Sequence, residues 1–249
     1  MEIEEYRVMY EIENDYWWYV GLRRLVFASI DRFKRKEGKL KILDAGCGTG
    51  KILESCREHD ACGLDFSEEA IGFCKKRGLN NIKKGSICDI PFSDNSFDVV
   101  ISLDVLYHLN VEDDLKALHE FNRVTNKGGI LVLNVPAYNF LRSKHDVAIH
   151  TRHRYTLKEL REKIEKAGFG IKKITYRNTI LFPLAFIKRI IEKIFSINTK
   201  KAGSDLKPLP ELFNKFLTQL LFLENKLIMS GMVLPFGLSL YCIAKKDKK

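Results

Sequence analysis

With 249 residues, 45% of them hydrophobic and 30% charged, the chain has the size of one α/β domain with an insertion and can bury a sizeable core. Its six cysteines (Cys47, Cys56, Cys62, Cys74, Cys88 and Cys242) form no C-x-x-C pair and have no histidine at ligand spacing, which argues against zinc and for reduced thiols in the cytosol. The net charge of +10 is lopsided, because residues 151–249 hold 21 Lys and Arg against 8 Asp and Glu while residues 1–150 hold 21 against 24. That imbalance predicts an anionic partner for the last third: an acidic or phosphorylated substrate, a membrane surface or nucleic acid.

Met1 to Tyr10 is charged where a secretory signal needs an apolar core, so export is not expected. Residues 1–38 read as an amino-terminal helical cap, and residues 39–249 as the main domain. Short apolar runs then alternate with amphipathic stretches, the pattern of a mostly parallel sheet covered by helices on both faces. Strands are predicted at Lys41 to Asp44, Cys62 to Asp65, Asn81 to Gly85, Val99 to Leu103, Ile130 to Val135, Ile171 to Tyr176 and Leu238 to Ala244. Helices are predicted at about Gly50 to Glu58, at Glu68 to Lys76, at Asp113 to Val124 and at Thr156 to Ala167. In the last, Thr156 is the N-cap, Glu159 stands in capping-box position and Gly168 ends the helix.

The run Asp44-Ala45-Gly46-Cys47-Gly48-Thr49-Gly50 follows the first strand and opens a helix. Such a turn lets a nucleotide approach the backbone, and Asp65 on the next strand is placed to accept hydrogen bonds from ribose hydroxyls. A dinucleotide fingerprint would need a third glycine where Lys51 stands, so a dehydrogenase is disfavoured. Between the last two strands, residues 177–236 form an insertion with helical stretches near Leu184 to Phe195 and Leu212 to Met229, separated by the breaker-rich Gly203 to Pro210. Lys188, Arg189 and Glu192 interrupt the first stretch and Lys215, Glu224 and Lys226 the second, so neither is a transmembrane span. Their apolar faces could pack on the sheet, form a lid or dimer contact, or lie on an anionic bilayer.

The alternate glycines behind Asp44 resemble motif I of the class I S-adenosylmethionine-dependent methyltransferases, and four further motifs follow in order. Gly63-Leu64-Asp65-Phe66-Ser67 is similar to motif II, Cys88-Asp89-Ile90-Pro91-Phe92 to the loop after the third strand, Phe97 to Ile101 with Leu103 to His108 to the fourth-strand motif, and Lys127 to Leu131 to the turn into strand five. Glu13 to Arg24, with its Trp17-Trp18 pair, and His153-Arg154-Tyr155 resemble the small-molecule methyltransferase type 11/12 subgroup, although Tyr16 stands where that subgroup has histidine.

The resemblance implies a Rossmann-like seven-stranded fold with an amino-terminal helical lid and S-adenosylmethionine as cofactor. It implies Asp44, Ala45, Gly46, Cys47, Gly48, Gly50, Asp65, Phe66, Cys88, Asp89, Ile90 and Leu103 as cofactor-binding residues. Asp44 would orient the glycine turn or reach the methionine amino group, Asp65 the ribose and Asp89 the adenine amine, while Phe66 and Ile90 would wall the adenine or pack in the core. His108 is a candidate base or acceptor-pocket residue. Trp17, Trp18, Tyr107, His150, Arg152, Arg154 and Tyr155 are candidates for acceptor binding. The two arginines would clamp an anion or brace the next helix. Methyl transfer to a small-molecule or lipid-linked acceptor, in the cytoplasm or at the inner membrane face, is the resulting expectation. The alternatives are an RNA methyltransferase and a non-catalytic module acting through the basic insertion. No metal is expected.

Overall fold

The computed structural model describes residues 1–34, 36–194 and 209–247. Two helices, α1 (Ile3–Ile12) and α2 (Trp17–Phe33), precede β1 (Lys41–Ala45), α3 (Lys51–Glu54), β2 (Asp60–Asp65), α4 (Glu68–Lys76), β3 (Ile82–Lys84) and β4 (Phe97–Leu103). There follow α5 (Asp114–Val124), β5 (Thr125–Pro136), a 3₁₀ turn at Asn139–Leu141, α6 (Lys144–Ala148), α7 (Leu157–Lys166) and β6 (Phe169–Arg177). The chain ends with α8 (Phe182–Ile194), α9 (Glu211–Met229) and β7 (Ser239–Lys246).

The seven strands form one sheet in the order β3-β2-β1-β4-β5-β7-β6, parallel except for β7, which runs antiparallel to both neighbours. Consecutive residues of β1 and β4 are buried, as in central strands covered on both faces. Between β1 and β4 the strand order reverses direction, and an open α/β sheet binds ligands at the carboxyl ends of its strands beside that point.

Helix starts follow local capping. Ser67 accepts from the Ala70 amide at α4, Asp113 from Leu115 and Lys116 at α5, and Thr156 from Glu159 at α7. The expected capping box at α7 is half formed, because the Glu159 carboxylate turns to His153 Nε2 at 2.9 Å. Helix α3 is shorter than predicted: Ser55 bonds back to the Lys51 carbonyl through both its amide and its hydroxyl as the chain turns toward β2. Strand β5 begins earlier than predicted, with a register shift between the pairs Phe97–Thr125 and Val99–Ile130. Helix α6 was not foreseen, although Ser143 and Asp146 form a capping box that the sequence spells out.

Helix α2 is more than a cap, since Leu22, Leu25, Val26 and Ile30 belong to the sheet's own core cluster. Across it lies α9, so close that a Cβ on Gly21 would meet Leu221 Cδ1 at 2.4 Å, and Asn225 Nδ2 donates to the Gly21 carbonyl at 2.8 Å. Both helical stretches of the insertion are present, while Phe195 and residues 203–208 of the breaker-rich segment lie outside the described residues. Among the described residues no helix is long and apolar enough to cross a membrane, and no three His, Cys, Asp or Glu converge on a metal position.

Candidate active site

At the carboxyl ends of β1, β2 and β4 the sheet places three carboxylates, Asp44, Asp65 and Asp104, in the wall of one cavity of about 970 Å³. The glycine turn forms its floor. Gly46 and Cys47 donate their amides to the Leu64 carbonyl at 2.7 and 3.0 Å, binding the turn to β2. Gly46, at φ +89°, lies so near the β4 loop that a Cβ would meet Val105 Cγ2 at 2.2 Å. Asp65 ties the floor to the next loop, with Oδ2 accepting from the Gly48 amide at 2.8 Å and Oδ1 from the Ser67 amide at 2.9 Å. A carboxylate offers about four acceptor positions, so backbone amides fix this one without exhausting it.

Burial, and after it the neighbouring Asp65 and Glu13 charges, push the Asp44 carboxyl up to about 8. Asp104 is raised to about 6 by burial, opposed by the bond from Asn134 Nδ2 at 2.9 Å and by Arg177 and Arg154. It also holds φ +58°, a backbone conformation uncommon outside glycine and one that recurs at functional sites. Carboxylates raised by desolvation and mutual repulsion make this a chamber suited to a cation.

The amino-terminal helices close the chamber. Glu13 accepts from the Thr49 hydroxyl and pairs with Arg77, whose Nε donates to the Thr49 carbonyl at 2.8 Å, and these bonds staple the α1–α2 junction onto the glycine turn. Tyr6, Met9, Trp17, Trp18 and Tyr19 line the cavity from this side. The Trp17 and Trp18 rings meet edge to face at 5.7 Å. Helix α8 adds Ala185, Lys188 and Arg189.

Of the expected cofactor residues, Asp44, Gly46, Cys47, Gly48, Asp65, Phe66 and Leu103 line the cavity, and five others stand back from it. Ala45 is buried within the sheet, and Gly50 is the N-cap of α3. Ile90 is a core residue whose amide donates to Glu120 Oε2 at 2.7 Å, Cys88 directs its thiol to the Asp113 carbonyl at 3.6 Å, and Asp89 is exposed in a bridge to Ser86. The wall at this point consists of Gly85, Ser86 and Ile87, immediately before the expected residues, because the loop then turns away and Ile90 enters the core.

Among the expected acceptor residues, Trp17, Trp18, Tyr107, His150 and Arg154 reach the cavity, whereas Arg152 and Tyr155 do not. Arg152 is paired with Asp114, and the Tyr155 hydroxyl donates to Asp114 Oδ2 at 2.8 Å in the buried interior. The two therefore brace the start of α5 against the loop after β4. Arg154 is also engaged, with Asp146 Oδ1 at 2.7 Å and the Ala137 carbonyl at 3.0 Å, so of the two roles expected for these arginines the structure shows bracing bonds and not an anion clamp. His108 lines the cavity with Nε2 2.8 Å from the Met1 amino nitrogen and Nδ1 accepting from the Asn110 amide at 3.1 Å. Burial, then the Met1 ammonium and His150, lower its pKa to about 4, so the ring is neutral at pH 7.

Sequence reasoning passed over Glu13, Arg77, Asp104 and Arg177. Asp104 had a visible signal as the acid that ends the fourth-strand motif. Arg177 had none: fully buried at the end of β6, it has no hydrogen bond to any guanidinium nitrogen and lies 5.4 Å from the Trp18 ring. Burial brings it down to about 10, against the pull of Glu224 and Asp104.

Comparison with known proteins places this geometry. The family of the description "Methyltransferase domain" matches residues 43–133. An uncharacterized protein of Methanocaldococcus jannaschii is 31% identical over 184 residues, covering 68% of this chain and 75% of that one. The "Probable tRNA methyltransferase 9B" of Mus musculus is 29% identical over 141 residues, 54% of this chain but 30% of its own length. This chain thus spans under a third of the first curated relatives it matches. An S-adenosylmethionine dependent methyltransferase from Mesorhizobium loti shares the fold with a TM-score of 0.57 at 16% identity, over 89% of this chain and 98% of that one.

Proposed function

The chain belongs to the class I S-adenosylmethionine-dependent methyltransferases, and from that premise we propose that it methylates a small-molecule or lipid-linked acceptor held in the same cavity as the cofactor. The cavity itself carries this reading. Its volume is about 970 Å³, and its wall runs past the glycine turn and Asp65 to Trp17, Trp18, His150 and α8, which supports an acceptor site beside the cofactor.

The residues present fit the cofactor, whose sulfonium supplies an electrophilic methyl group and whose amino group adds a second positive charge. Asp44 would face the cationic methionine part, Asp65 would take the ribose hydroxyls with its remaining acceptor positions, and Ser86 and Ile87 would flank the base. The glycine turn admits the ligand to its backbone, and the Glu13–Arg77–Thr49 staple keeps the helical roof over it. The roof excludes water and holds the acceptor in line, which is most of what a protein can add to such a displacement. His108 would line the acceptor pocket rather than take a proton, because the Asn110 amide occupies Nδ1, Nε2 meets the Met1 amino group and burial lowers the ring to about 4.

Asp44 makes the reading testable by pH. A cation bound beside it favours its carboxylate, so binding releases a proton at any pH between the lowered value in the complex and about 8. Affinity for S-adenosylmethionine is expected to rise with pH up to about 8 and then level off, with proton release visible by calorimetry in buffers of different ionisation enthalpy. Asp44→Asn should remove both the release and the slope. In the free protein the sign is reversed: a folded pKa above the unfolded value means that Asp44's contribution to stability is lost as pH climbs from about 4 through about 8.

RNA as acceptor is the second reading, favoured by the relatives described as tRNA methyltransferases and by the basic last third. Labelled S-adenosylmethionine offered with quinones, glycans, lipids and tRNA separates the two. Label in an organic-soluble or small-molecule product is expected, and label confined to tRNA would establish the second reading instead. Cofactor binding with no transfer to any of them would leave a binding module.

A further inference from the structure

We propose that the outer face of α8, with the phenylalanine cluster at its start, docks on an anionic phospholipid bilayer and turns the cavity mouth toward the lipid. Leu184, Ile187 and Ile191 follow one another at spacings of three and four, on one helical face, and are 69%, 53% and 46% exposed. The apolar surface continues beyond the helix. Phe182 meets Phe186 at 5.8 Å and Phe236 at 5.2 Å, and Phe186 meets Phe140 at 5.9 Å; Phe140, Phe186 and Phe236 are themselves exposed. The companion helix α9 buries Leu217, Leu221 and Ile228 but leaves Leu212, Phe213, Phe216 and Leu223 exposed, so what sets α8 apart is that its apolar face runs on into the phenylalanine cluster and that the same helix lines the cavity. Contiguous apolar surface of this kind marks an interaction site.

Charge selects the partner. In sequence α8 itself carries Lys188, Arg189 and Lys193 against Glu192, so two copies of the helix meeting would bring like net charge together, whereas an anionic surface complements it. A nucleic acid would match the charge but would leave the aliphatic face unburied. A helix with an apolar face and basic residues, too short and too charged to span a membrane, is suited to lie in the interfacial plane. Because Ala185, Lys188 and Arg189 of the same helix line the cavity, docking would bring the mouth to the headgroups. The docking rests on the exposed face alone, while delivery of a lipid-borne acceptor rests also on the methyl-transfer reading.

Cosedimentation with phosphatidylcholine vesicles, with and without phosphatidylglycerol, tests it. The full chain is expected to sediment with the anionic vesicles, less so as salt is raised, and the Ile187→Glu/Ile191→Glu variant is expected to lose partitioning on the order of tenfold or more. Neither residue lines the cavity, so calorimetric binding of S-adenosylhomocysteine and the thermal melt should be unchanged in that variant. The proposal is overturned if the wild type stays in solution, or if the variant sediments like the wild type. It is equally overturned if, without vesicles, the substitutions convert a dimer to a monomer or abolish tRNA binding. Absent cofactor binding in the wild type would instead sink the methyl-transfer reading and leave the vesicle result standing.

Discussion

Asp65→Ala is expected to weaken binding of S-adenosylhomocysteine by about a hundred- to ten-thousandfold, because the two charge-assisted hydrogen bonds proposed between Asp65 and the ligand would be worth about 3–6 kcal/mol together. The same substitution frees the Gly48 and Ser67 amides, which now hold the glycine turn and the start of α4 to one carboxylate. Loss of preorganisation thus adds to loss of contact. Asp65→Asn separates the parts: its carbonyl can still accept from one amide, while its amino group would face a donor at the other, so affinity intermediate between wild type and Asp65→Ala is expected. Calorimetry measures the affinity and a thermal melt monitors the fold. Wild-type affinity in Asp65→Ala would show that Asp65 does not hold the ligand.

Gly46→Ala is expected to cost about 2–4 kcal/mol of stability, from roughly 1 kcal/mol for a positive φ and about 1–3 kcal/mol for overpacking against Val105. For a chain of this length that lowers the melting temperature by roughly 4–16 °C. Gly78 provides the control, since it also takes a positive φ of +74° but a Cβ there meets nothing within 4 Å. Gly78→Ala should show the backbone cost alone. Adding Val105→Ala to Gly46→Ala should recover part of the loss, because the contact is with the valine methyl groups, and a double-mutant cycle reads this as a coupling. Equal melting temperatures for the two glycine variants would mean that the turn yields rather than strains.

That Asp44, Gly46, Gly48 and Asp65 would come together at one cavity was legible in the sequence, because strand ends and glycine turns are local. Asp44, Gly46, Gly48 and Asp65 owe their places to a short apolar strand, a turn and the next strand, all within about 20 residues. Cys88, Asp89 and Ile90, expected at the cofactor, do not line the cavity, because a loop's exit direction depends on what it packs against, here Glu120 and the core. Arg152 and Tyr155 look like ligand-binding residues in sequence. Only the fold brings Asp114, some 40 residues earlier, to meet both.

The chain by itself determined its family and the order of its strands and helices, since both follow from short-range pattern: periodicity, caps and glycine spacing. Tertiary structure decided which polar groups are spent on one another and which face a ligand. It joined Glu13 to Arg77 and Thr49, buried Arg177 behind Trp18, packed one face of α9 on α2 and left the outer face of α8 in water. Those outcomes depend on residues far apart in the chain competing for the same partners and the same buried space. The composition of a helix can mark it as amphipathic, but which surface covers its apolar face is settled only when the neighbouring elements have packed.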